Sequence, residues 1–175
     1  MQTMNKSELN QFPNYFNNYL KHVEQENLSI AFTKNDLSLW DAEYDKMQKL
    51  GQKVYAEGKW TVNDILQHLI DTERIFAYRA LRFARKDKSN LAGFDENVYA
   101  HNSNANARSL EDLMEEFKIV RKSSELLFRS FDNEMLKAIG TANETEVSVA
   151  AIGFALIGHA AHHLKILKER YFVLL

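Results

Sequence analysis

Apolar residues recur along most of this chain at intervals of three and four, the spacing that lines one face of an α-helix. Ile30, Leu37, Trp40, Tyr44 and Met47 keep that spacing and predict a first long helix from about Leu28 to Leu50, after a short segment around Pro13 to Val23. Gly51 and Gly58 interrupt it. Trp60-Thr61-Val62-Asn63-Asp64-Ile65 then has the chemistry of a helix start: Thr61 as N-cap, Asp64 as its capping-box partner, and Trp60 placed to staple against Ile65. This second helix runs to about Lys86. A third begins at Ser109, with Asp112 in the capping-box place, and carries Leu110, Leu113, Met114, Phe117, Val120, Leu127, Phe128 and Phe131. A fourth runs from about Ser148 to Tyr171. No stretch alternates apolar and polar residues long enough to read as a strand, so the expected fold class is all-α.

Four amphipathic helices of this length predict a four-helix bundle forming a single domain over residues 1–175. Residues 88–108 make a link of about twenty residues, far longer than the ~2–8 that join antiparallel bundle neighbours. A crossover between helices two and three accounts for that length and gives the order up, down, down, up. Asparagines and Gly93 supply turn chemistry in the link, and Leu91, Phe94 and Tyr99 are placed to pin it to the bundle, where it would partly cover a site.

Composition narrows the function classes. Twenty-two Lys and Arg against 24 Asp and Glu give a net charge of −2 without a basic stripe, which argues against a nucleic-acid partner. No cysteine is present, so disulfides, thiolate zinc sites and thiol nucleophiles are excluded, and histidine and carboxylate are the strong metal ligands left. Met1-Gln2-Thr3-Met4-Asn5-Lys6 has no apolar core of a leader peptide, and no run approaches the ~18 apolar residues of a membrane span; the expectation is a cytoplasmic protein.

The candidate chemistry lies in Gly158-His159-Ala160-Ala161-His162-His163. His159 and His163 are four residues apart, so both imidazoles leave one face of a helix that is otherwise apolar around Ile152, Ala155, Leu156 and Leu167. An unpaired imidazole there would be costly. His68, beside the apolar stripe of Ile65, Leu69, Thr72 and Phe76, is the candidate third ligand. Three imidazoles from two helices would hold one side of a divalent cation and leave its other positions open, with zinc or nickel better suited to nitrogen donors than magnesium or calcium. A hydrogen-bonded histidine cluster is the alternative. Asp71, with Asp64 behind it, is the candidate acceptor for an imidazole N–H, although capping already explains Asp64. His162 is placed at a helix seam, a partner surface or solvent, and His101 in the link, both at the site's periphery; His22 is expected in solvent. Glu73, Arg74 and Arg79 read as surface ion-pairing residues.

Gly58-Lys59-Trp60-Thr61-Val62, His68-Leu69-Ile70-Asp71-Thr72-Glu73-Arg74 and Gly158-His159 to His163 together resemble the DinB-like family, the damage-inducible DinB and YfiT group of metal-binding bundles. Ala77 to Arg85, Gly93-Phe94-Asp95-Glu96 and Glu116 to Arg121 resemble it in order and spacing too. The resemblance implies an up-down-down-up bundle, a divalent metal on His68, His159 and His163, and a homodimer. Relatives often continue the C-terminal pair with a Gly-Gln-Ile-like sequence where this chain has Leu164-Lys165-Ile166, so a role for that glutamine does not carry over. It further implies an enzyme that activates a low-molecular-weight thiol for S-transfer, or water for hydrolysis, with a small-molecule partner. A non-catalytic, metal-stabilised binding protein is the competing class.

Overall fold

The computed structural model describes residues 4–175. Its elements are α1 (Asn17–Leu20), α2 (Leu28–Lys34), α3 (Ser38–Asp41), α4 (Tyr44–Leu50), α5 (Val62–Ala84), α6 (Glu96–Asn102), α7 (Leu110–Arg129), α8 (Asn133–Lys137), a hairpin of β1 (Ile139–Ala142) and β2 (Thr145–Ser148), and α9 (Val149–Ile166), with short 3₁₀ turns between some of them. Thr61 and Asp64 close their capping box, the Asp64 amide donating to the threonine hydroxyl at 3.1 Å and the Thr61 amide to the carboxylate at 2.9 Å. Ser109 caps α7 alone, because the Asp112 carboxylate turns to Arg108 at 2.6 Å.

The first long helix is a correction: three short pieces stand where one was expected. Asn35 donates its side-chain amide to the Ala31 carbonyl and ends α2, and Asp36 accepts from the Ser38 amide. Such short polar side chains compete with the helical ladder. Between them Leu37 adopts a left-handed φ of 69°, a conformation that costs about 1–2 kcal/mol and here turns Leu37 and Trp40 into the core.

The all-helical expectation also needs amending. β1 and β2 pair antiparallel across Asn143 and Glu144, both at positive φ, the signature of a type I′ turn. Each strand is four residues long, too short for alternation to register. Gly140 is required there, since an added Cβ would fall 1.9 Å from the Phe83 ring. The crossover is anchored to this hairpin, with Leu91 donating to the Thr141 carbonyl and accepting from the Asn143 amide.

The start of α5 meets the segment that leads into α7, Asp64 at Asn106 and Gln67 at Arg108, and its middle meets the middle of α7, where Arg74 pairs with Glu116 and Glu73 with Arg121. The two helices therefore run parallel. Against α9 the order reverses, with Trp60 near Tyr171 and His68 near His159. The α2–α3 segment also runs against α7, since Phe32 packs on Phe128 and Trp40 on Phe117.

Residues 149–160 of α9 are buried throughout, which makes it the central element. The stretch Val149–Leu174 is long and apolar enough by composition to cross a membrane, but 72% of its most apolar window is buried inside the bundle. Its hydrophobicity is that of a core helix. Glu73 and Arg121, one of them expected at the surface, form a buried bidentate pair at 2.7 and 2.8 Å, and Arg121 also donates to the Leu156 carbonyl of α9. That network ties α5, α7 and α9 together at mid-height.

Candidate metal centre

His68 on α5 and His159 and His163 on α9 bring their Nε2 atoms together. His159 Nε2 lies 3.0 Å from that of His68 and 3.0 Å from that of His163. The local sequence explains the convergence. His159 and His163 are one turn apart on a helix held from the other side by Gly158, whose missing side chain lets α1 approach within 2.2 Å of where a Cβ would stand. His159 is 4% exposed, and His68 and His163 are half-buried.

Burial pushes all three imidazoles toward their neutral form: His68 to about 4, and His159 and His163 well below their ordinary value, with the neighbouring rings adding to the effect. Neutral imidazoles are ligands. A histidine cluster held only by hydrogen bonds fits poorly, because the single in-plane site of His159 Nε2 faces two ring nitrogens at once. A cation fits: at a metal–imidazole bond of ~2.1 Å, two nitrogens 3.0 Å apart subtend about 90°. His159 thus stands near a right angle to each of the other two donors at the ion site, and a tetrahedral ion would spread these pairs to about 3.4 Å.

The expected carboxylate supports are a correction. The Asp64 carboxylate accepts from Thr61 and Asn106, and that of Asp71 accepts from Gln67 at 2.9 Å; neither hydrogen-bonds a histidine of the triad. Burial raises the Asp71 carboxyl above its usual range. The Nδ1 atom of His163 is buried without a partner. Aromatic packing orients these rings instead: Trp60 lies 4.7 Å from His68 and stacks at 6.4 Å on His163, and Tyr19 lies 4.8 Å from His159, centroid to centroid.

The triad forms one end of a cavity of about 500 Å³. The crossover contributes Gly93, Phe94 and Glu96 to the wall, the coverage expected of it. The rest of the wall was not anticipated: Tyr15, Phe16 and Tyr19 from the N-terminal segment, the hairpin's Asn143 and Val147, and Thr72, Phe76 and Arg79 along α5. A signal for the α5 residues did exist, since Thr72 and Arg79 fall within about 40° of His68 around a helix. His162 lines the cavity and packs on Tyr19 and His22, so His22 is only partly exposed to solvent. His101 is exposed on α6 and takes no part in the wall.

The donor set can hold a divalent cation with open positions turned to the cavity, the arrangement from which metal sites activate a nucleophile or polarise a carbonyl. Among curated proteins no match was found. Among solved structures the chain is similar to YfiT from Bacillus subtilis, described as a probable metal-dependent hydrolase with an unusual four-helix bundle topology. The two share 13% sequence identity over 87% of this chain and 86% of that one, with a TM-score of 0.57, a likeness of fold. A sequence model of the DinB superfamily matches residues 4–167, nearly the whole chain, and with the bundle and the three-histidine group in place the chain belongs to that superfamily.

Proposed function

We propose that this protein is a metal-dependent enzyme, with His68, His159 and His163 holding a divalent ion and the adjoining cavity binding a small substrate. The observation that carries the reading is the meeting of three neutral imidazole nitrogens at one end of a 500 Å³ cavity. When bound, such an ion lowers the pKa of water or a thiol and polarises a carbonyl or similar electrophile. Nitrogen donors favour zinc or nickel, and the near-right-angle spacing suits an ion of higher coordination number than four.

The chain's own residues supply binding and shielding. Trp60, Phe76 and Phe94 give the cavity apolar faces that exclude water. Burial raises the pKa of the Tyr19 hydroxyl and keeps it protonated, a hydrogen-bond donor on a ring that packs against His159. With no cysteine in the chain, a thiol nucleophile would have to arrive on a second small molecule. Hydrolysis is the leading branch, supported by the description of YfiT; transfer to a low-molecular-weight thiol, which the family resemblance implies, is the second.

The test uses cobalt- or nickel-substituted protein. Added azide or a small thiol should change its visible spectrum, and an ester hydrolysis screen run with and without thiol should then separate the branches. A spectrum indifferent to both additions would mean a closed, structural site and a non-catalytic protein.

A further inference from the structure

The two buried arginines of this bundle are treated unequally. Arg121, 4% exposed, has the Glu73 carboxylate on both arms of its guanidinium and a backbone carbonyl besides. Arg79, 8% exposed, has no carboxylate within ion-pair distance among the described residues, and its one protein hydrogen bond is from Nη2 to the Ala92 carbonyl at 2.7 Å. Its guanidinium sits over the rings of Phe76 and Phe94, at 5.6 and 5.9 Å from their centroids, and lines the same cavity as the triad. A cation this buried and without a counter-ion is an expensive feature unless an anion completes it. Flanking aromatic faces fix the guanidinium plane and leave its remaining donors for a planar, bidentate acceptor.

A second observation points the same way. The Thr72 hydroxyl is buried without a partner, on a residue that lines the cavity between His68 and Arg79 along α5. His68, Thr72 and Arg79 thus form a polar row along one side of α5, with Phe76 inserted. His68 and Arg79 are eleven residues apart, roughly 16 Å along the helix axis. A molecule touching both the triad and Arg79 is therefore elongated.

We infer that Arg79 anchors the carboxylate of an amphiphilic substrate whose other end reaches the histidine triad, with Thr72 a hydrogen-bonding contact along its length. The inference deepens the proposed function by naming the substrate class. A carboxylate is favoured over a phosphate because Arg79 is the only Lys or Arg in the cavity wall among the described residues, and Glu96 on the exposed rim would oppose a dianion. Arg79 is a binding and specificity residue in this account, remote from the reacting atoms.

The test is titration calorimetry with octanoate, 1-octanol and octyl phosphate on the protein as purified and after metal removal by chelator. Wild type should bind octanoate at least about tenfold more tightly than octanol in both preparations, the margin of one or two charge-assisted hydrogen bonds. Arg79→Gln should abolish that preference, and Arg79→Lys should restore part of it. Equal binding of octanoate and octanol, no octanoate binding, tighter binding of octyl phosphate, or an unchanged preference in Arg79→Gln would each overturn the inference. Should Arg79→Gln not fold, the guanidinium nitrogen resonances of Arg79 in wild type serve instead: they should shift with octanoate and not with octanol, and the absence of a shift overturns it. Metal counted in the same purified samples judges the triad separately, so one reading can fail while the other stands.

Discussion

Replacing Gly158 by alanine should destabilise the protein without removing a ligand of the metal centre. The added Cβ would stand 2.2 Å from the Tyr19 carbonyl oxygen and 2.6 Å from its carbon. Ordinary contact needs about 1 Å more, and backbone supplies no rotamer to make room. The N-terminal segment must shift off α9, loosening the contact of Tyr19 with His159 and His162. Overpacking of this kind costs about 1–3 kcal/mol, and alanine returns up to about 1 kcal/mol of helix propensity. A net loss of roughly 1–2 kcal/mol lowers Tm by about 2–8 °C for a domain of this size. Gly153→Ala is the control: the nearest atoms to its methyl belong to the side chains of Phe128 and Leu28, at 2.8 and 3.1 Å, which can give more readily than backbone, so it should cost less. Thermal unfolding by circular dichroism measures both. A Gly158→Ala protein as stable as wild type, or a larger loss in Gly153→Ala, would refute the close approach of α1 to α9.

Other perturbations probe the core and the ligand shell. Removing the acid of the buried pair, Glu73→Leu, leaves the Arg121 guanidinium uncompensated and should cost about 3–5 kcal/mol in urea unfolding, while Glu73→Leu combined with Arg121→Met should recover most of it. Metal-free protein should lose stability as pH falls from about 6.5 to about 4, because the unfolded chain takes up protons on His68 that the folded state refuses; above 6.5 both states are neutral and the term vanishes. That shift alone is worth roughly 3 kcal/mol at the acid end, read as the change in unfolding free energy across the window. Trp60→Ala, which strips the ring packed on His68 and His163, should weaken metal affinity about 10- to 100-fold in a chelator competition, provided aromatic packing holds the imidazoles in place of hydrogen bonds.

The parts of this structure legible in the sequence are those where local chemistry and helical period agree. The capping residues Thr61 and Ser109 mark the starts of α5 and α7, and the spacing of His159 and His163, with His68 on the apolar side of α5, identifies the triad. Period alone failed between residues 28 and 50, where the apolar positions continue in helical register but Asn35 and Asp36 bond the backbone and break it. The hairpin was invisible because four-residue strands joined at Asn143-Glu144 leave too little alternation to read. The cavity wall was hidden for a different reason. Tyr19, Asn143 and Arg79 are distant in sequence and meet only when α1, the hairpin and α5 pack, so an arginine that looks like surface charge becomes part of an interior. The missing carboxylate support shows the converse: Asp71 lies one turn from His68, yet Gln67 takes its carboxylate.

The central claim is that three imidazole nitrogens hold a divalent ion, and counting metal tests it most directly. Untagged, dialysed wild type should carry close to one zinc or nickel per chain by elemental analysis, or take up one when the ion is added back, while His159→Ala combined with His163→Ala should carry none and keep its helical content. Wild type that binds neither metal after addition, or a double variant that binds as much as wild type, would contradict the account.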